Sequence, residues 1–252
     1  MLCWPIYSVV SHHELHVTTQ EYNDLDFFAG GVPAGAIFQL AAKEIKNLLD
    51  AKPKNPIGHT LEEVCFIGLV SYFEAFCRDC FASLINISPE LIQRLKSRGY
   101  DISVDSLSVL EMHDRLPYQI GFLISERYDF GTARKVNALY SALMGITPFS
   151  KKDAKTYDGV LSDRNLLVHH GGIYTTSYFR QHIDTPSDKT RIFMDSLIVD
   201  KEYVEERFAF LYGMAEKIVK KSSNVLAEDI ASKTITIQGT AEKALKMFSW
   251  WD

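Results

Sequence analysis

Apolar residues recur every three or four positions through most of this chain, the spacing of an amphipathic α-helix. Over 34–51 the pattern predicts a helix with Ile37, Leu40, Ala41, Ile45 and Leu48 on its buried side. Pro53, Pro56 and Gly58 break the periodicity and read as a linker. Thr60 with Glu63 three residues on has the form of a capping box, with Thr60 as N-cap. The helix it opens is predicted to run to about Ile87 and is apolar nearly all round, the mark of a central buried helix. Ser88-Pro89 begins a short helix ended by Gly99. Further helices are predicted over 103–112, 118–127 and 132–144, the last closed by Gly145. Asp200 caps a long helix with Val204, Phe208, Leu211, Ala215, Ile218 and Val225 on one side, and 243–251 reads as a short amphipathic tail.

Period-two alternation is scarce. A strand pair is expected within 6–19, extended chain over 173–176, a strand over 191–199 and an edge strand over 234–237. The fold class is therefore mainly α: one domain over 1–252, a helical bundle with minor β-structure. Residues 1–57 form an N-terminal extension with one helix.

Two features interrupt the apolar pattern. Glu74 falls on the stripe made by Ile67, Val70, Cys77 and Phe81, and a carboxylate there needs a partner. Arg78, one turn on, is one candidate. The other is Arg164 on a neighbouring helix, where Glu74 can alternatively orient His169. Cys77-x-x-Cys80 lacks a second cysteine pair, so it reads as small core residues and not as a zinc site. His12 and His16 have the spacing of metal ligands only on a helix, which their segment does not favour, and no metal or other cofactor is expected.

The densest chemistry lies in Ser162-Asp163-Arg164-Asn165-Leu166-Leu167-Val168-His169-His170-Gly171-Gly172. Leu161, Leu166, Leu167 and Val168 give this helix an apolar side, and the glycine pair stops it. Asn165 and His169, four apart, share a face, and the long Arg164 side chain starts on the next one. A histidine can take the 2′-hydroxyl proton of RNA or return one to the leaving 5′-oxygen. An arginine fork fits phosphate oxygens and stabilises charge in the transition state. Asn165 can orient His169 or hold a phosphate oxygen. Arginine and histidine at a helix C-terminus also serve simply to satisfy its carbonyls. His170 is either a second titrating group or part of that cap. Lys151, Lys152 and Lys155 are expected in the loop before this helix, either as a solvated face or as a phosphate-steering patch.

Charge changes the picture locally. The chain's 252 residues carry a net charge of −5, against a general nucleic-acid coat. From Arg127 to Arg180, eight Lys or Arg stand against four Asp, net +4. A positive patch on an acidic protein suits a short RNA contact. The most apolar uncharged run, Val64 to Phe73, is too short to span a bilayer. The N-terminus lacks a signal-peptide pattern and the four cysteines are scattered, so a reducing cytoplasm is expected.

The wording Arg164-Asn165, then Val168-His169, then Gly171-Gly172 resembles the Arg-polar-x-x-x-His signature of HEPN domains, over roughly 59–225. Many relatives have Asn where this chain has His170. The resemblance implies an all-helical, usually dimeric fold and a metal-independent endoribonuclease of a defence or toxin-like system. Arg164, Asn165 and His169 would be the catalytic set, with Glu74 and His170 in support. Products would carry a 2′,3′-cyclic phosphate and a 5′-hydroxyl. RNA, a second copy of the chain and an antitoxin or defence-system protein are the implied partners. The alternative is a non-catalytic module of the same fold that binds a nucleotide, RNA or a protein.

Overall fold

The computed structural model describes residues 24–51, 58–182, 195–237 and 241–251. The predicted strand pair within 6–19, with His12, His13 and His16, lies outside the described residues, as does 191–194. The elements in order are α1 (Asp24–Ala29), α2 (Ala34–Asp50), α3 (Thr60–Ile87), a 3-10 turn (Pro89–Leu91), α4 (Ile92–Ser97), α5 (Ser106–Glu111) and α6 (Leu116–Ser125). They continue with α7 (Ala133–Met144), α8 (Lys151–His170), α9 (Thr176–His182), α10 (Lys201–Ala231) and α11 (Ala241–Phe248). The chain is mainly α. Its β-structure among the described residues is a lone antiparallel bridge between Ile173 and Ser196.

The core forms around α3, against which α2, α6, α8 and α10 all pack. An all-round apolar sequence makes this possible, since Phe66, Leu69, Phe73, Cys77, Phe81 and Leu84 point in different directions and are all buried. Phe73 alone meets the rings of Phe38, Phe76, Phe149 and Tyr157, from α2, its own helix, the turn before α8, and α8. Helix α6 crosses α3 at backbone contact: a side chain at Gly121 would meet the Ala82 carbonyl oxygen at 2.1 Å. Asn86 seals that crossing, donating to the Gly30 carbonyl and accepting from the Gly121 amide. Cys77 and Cys80 are core residues, and burial pushes the Cys80 thiol up to about 12. Among the described residues no helix is long and apolar enough to cross a membrane.

Several boundaries differ from expectation. The buried side of α2 carries Phe38, Ala42, Ile45 and Leu49, whereas Ile37, Leu40 and Leu48 are exposed. The helix is turned by about one residue because Phe38 brings a ring to Phe73, Phe76 and Tyr212, outweighing smaller aliphatic contacts. Thr60 is not an N-cap; His59 holds that position without a side-chain hydrogen bond. Residues 234–237 form no strand. Ser88 Oγ donates to the Thr236 carbonyl and the Thr236 amide donates to Glu90, so the segment is tied to the start of the 3-10 turn.

Candidate functional site

Helix α8 carries the site, and both of its ends are fixed by local chemistry. At the start, the Ser150 hydroxyl accepts from the Asp153 amide and the Asp153 carboxylate accepts from the Ser150 amide. This capping box begins the helix at Lys151. Lys151, Lys152 and Lys155 therefore stand on its first turns, a correction to the loop position expected for them. At the far end Gly171 and Gly172 have φ of +57° and +80°. Their amides donate to the carbonyls of Leu167 and Leu166, four and six residues back, so the left-handed glycines satisfy the last carbonyls and stop the helix.

Tyr157, Val160, Leu161, Leu166 and Leu167 bury one side of α8. Arg164 sits at the edge of that side and its Nη2 donates to Glu74 Oε1 of α3 at 2.7 Å, each side chain 23% exposed. Of the two partners open to Glu74, the structure takes Arg164; Arg78 bonds its neighbour Asp79. Burial raises the Glu74 carboxyl above its ordinary value, the Arg164 charge works against that rise, and the nearby Asp129 carboxylate adds to it. Arg164 Nε is buried without an acceptor among the described residues, as is the Tyr157 phenol. The guanidinium thus has donor capacity beyond Glu74.

Asn165, Val168, His169 and His170 are exposed. Five residues of helix separate Arg164 from His169, which places them about 140° apart around the axis. Asn165 and His169 lie together on the solvent side, while Arg164 faces α3. The structure therefore brings together two of the three candidate catalytic residues within one chain and leaves the third on an adjoining flank. Glu74 is bound to Arg164 and not to His169. Lys151 and Lys155 share the outward face with Asn165 and His169, Lys151 about 27 Å along the axis from His169. Lys152 is turned about 100° from Lys151, toward α10.

Sequence reasoning missed Asp163. It is 8% exposed and accepts hydrogen bonds from Tyr178 of α9 through Oδ1 and Tyr203 of α10 through Oδ2. Burial, then the Asp163 carboxylate, raises both phenols well above their ordinary value. The available signal was its place in the apolar stripe, between Val160 and Leu167. Tyr174 was missed as well. Its ring stacks on Tyr178 with centroids 5.2 Å apart and planes 7° from parallel. Beside Asp163, a cleft between α8 and α10 is lined by Lys155, Thr156, Gly159, Arg207 and Phe210. Arg207 lies 3.9 Å from the Tyr203 ring centroid and pairs with Glu206. No group of three or more His, Cys, Asp or Glu side chains placed to hold a metal occurs among the described residues.

Comparison with family models, with curated proteins and with solved structures finds no match to this chain.

Proposed function

We propose that the protein is a metal-independent endoribonuclease of the HEPN type, acting in a defence or toxin-like system. The observation that carries this reading is the exposed pair Asn165 and His169 at a capped helix end, with a guanidinium backed by Glu74 on the adjoining flank of the same helix. In the proposed reaction His169 takes the proton of the RNA 2′-hydroxyl, the 2′-oxygen attacks phosphorus and the 5′-oxygen leaves. The proton for the 5′-oxygen comes from a second acid, His170 or the His169 of another chain. Arg164 stabilises the negative charge on the phosphoryl oxygens. Lys151 and Lys155, on the face of His169, steer the incoming strand. Because Arg164 and His169 of one chain diverge, the working site is formed by two copies meeting along α8 and α3. Val168, Tyr72 and Ile173 are about half exposed on these elements and the loop beyond, and they suit such a contact.

The divergence of Arg164 and His169 also favours a second reading, a non-catalytic module that binds RNA, a nucleotide or a protein through the same face.

A mixed RNA incubated in EDTA separates the two. The nuclease gives fragments ending in 2′,3′-cyclic phosphate and 5′-hydroxyl; the binding module gives none. His169→Ala should lower cleavage by roughly 10²–10⁴-fold. Arg164→Lys should also fail, because an ammonium lacks the planar fork. His170→Ala should cost less. A dead His170→Ala beside an active His169→Ala would move the catalytic role by one residue.

A further inference from the structure

After Gly172 the chain does not trail away from the motif helix. The Leu197 amide donates to the Gly172 carbonyl at 2.9 Å, Ile173 bridges to Ser196, and the Tyr174 amide donates to the Asp195 carbonyl at 3.1 Å. The segment then enters α9, whose Tyr178 phenol returns to Asp163 on the motif helix. Asp163 and His170 are seven residues apart, so they occupy the same flank of α8 two turns apart. Tyr178 is therefore anchored on the His170 side of the helix, and Tyr174 lies flat against it.

Tyr174 is held at its backbone and along one ring face. Among the described residues it makes no other ring contact, and its hydroxyl makes no hydrogen bond. It is half-buried, so part of the ring stays accessible. Burial, with the carboxylates of Asp163 and Asp195, raises its phenol above the ordinary value of 10, so the ring is neutral near pH 7 as an ordinary tyrosine is. A neutral aromatic plane, held against Tyr178 on the flank of α8 that also carries His170, has the properties of a base-stacking platform. Its acidic surroundings disfavour phosphate and leave the backbone to the lysine face of α8.

We propose that Tyr174 is a nucleobase-stacking subsite, which holds one base of a single-stranded RNA against its ring while the phosphates pass along the Lys151–His169 face. The inference rests on the RNA reading above. Tyr178 is then a positioning residue, with Asp163 as its anchor.

The test uses the full chain carrying His169→Ala, so that RNA is bound without being cut. A fluorescein-labelled single-stranded RNA and an abasic ribose-phosphate strand of the same length are titrated by anisotropy. Base stacking predicts that Tyr174→Ala weakens binding of the normal strand roughly tenfold. Tyr174→Phe, which keeps the plane, should bind within about twofold of Tyr174, and Tyr174→Ala should leave abasic binding unchanged. Equal affinity of Tyr174 and Tyr174→Ala for the normal strand overturns the subsite and leaves the nuclease reading standing. Equal affinity of the unaltered Tyr174 protein for normal and abasic strands overturns it too, even if Tyr174→Ala fails to fold. No RNA binding at all overturns both readings together.

Discussion

Glu74 is a carboxylate set into an apolar stripe, and what makes it tolerable is Arg164 at 2.7 Å. Both groups keep about a quarter of their exposure, so the pair lies between a surface and a fully buried bridge. Glu74→Ala, which leaves the guanidinium against α3 without its counter-charge, should cost about 2 kcal/mol in urea denaturation. Burial makes the folded protein bind the Glu74 proton more tightly than the unfolded chain does. The stability that protonated Glu74 contributes is present below its ordinary value of 4.5 and is lost as pH rises through the raised folded value. The melting temperature of the parent minus that of Glu74→Gln should therefore fall as pH rises above the ordinary value of 4.5. A flat difference would show that the carboxyl titrates as in water. Glu74 was legible in the sequence because one charge in an aliphatic stripe stands out. Its partner was not, since Arg78 and Arg164 both had the right chemistry and only packing separates them. The partners of Asp163 were illegible for the same reason at longer range: they lie 15 and 40 residues further along the chain.

Helix ends were easier to read than helix faces. Gly145 and the Gly171-Gly172 pair adopt left-handed conformations where the sequence placed the stops. Gly171→Ala should destabilise by about 1 kcal/mol, because an L side chain is strained at positive φ. Gly159, in the middle of the same helix, has no heavy atom within 4 Å of an added Cβ. There Ala should stabilise by roughly 0.5–1 kcal/mol. Thermal melts of the two variants should shift in opposite directions, and shifts of the same sign would contradict the cap geometry. The start of α8 was misplaced because its capping box uses Asp153, a shorter side chain than the Glu or Gln that marks such a box. The face of α2 was misread because its two apolar sides differ by a single aromatic, and ring packing against α3 chose between them.

At the scale of the whole molecule, the mainly α character and the central helix followed from periodicity alone, whereas assembly could be reached only through the motif. If the site is shared, light scattering at micromolar concentration should give twice the 28.6 kDa chain mass. Val168→Glu, a charge placed on the proposed contact, should then yield monomers that no longer cleave RNA. An active monomer would show that one chain suffices. The two phenols on Asp163 have a consequence of a different kind. One carboxylate fastens α8, α9 and α10 at a single point, so α8 cannot shift at Asp163, two turns before His170, without releasing both neighbours. The amide hydrogens of α9, a seven-residue helix too short to hold itself, should exchange with solvent in step with those of the last turns of α8.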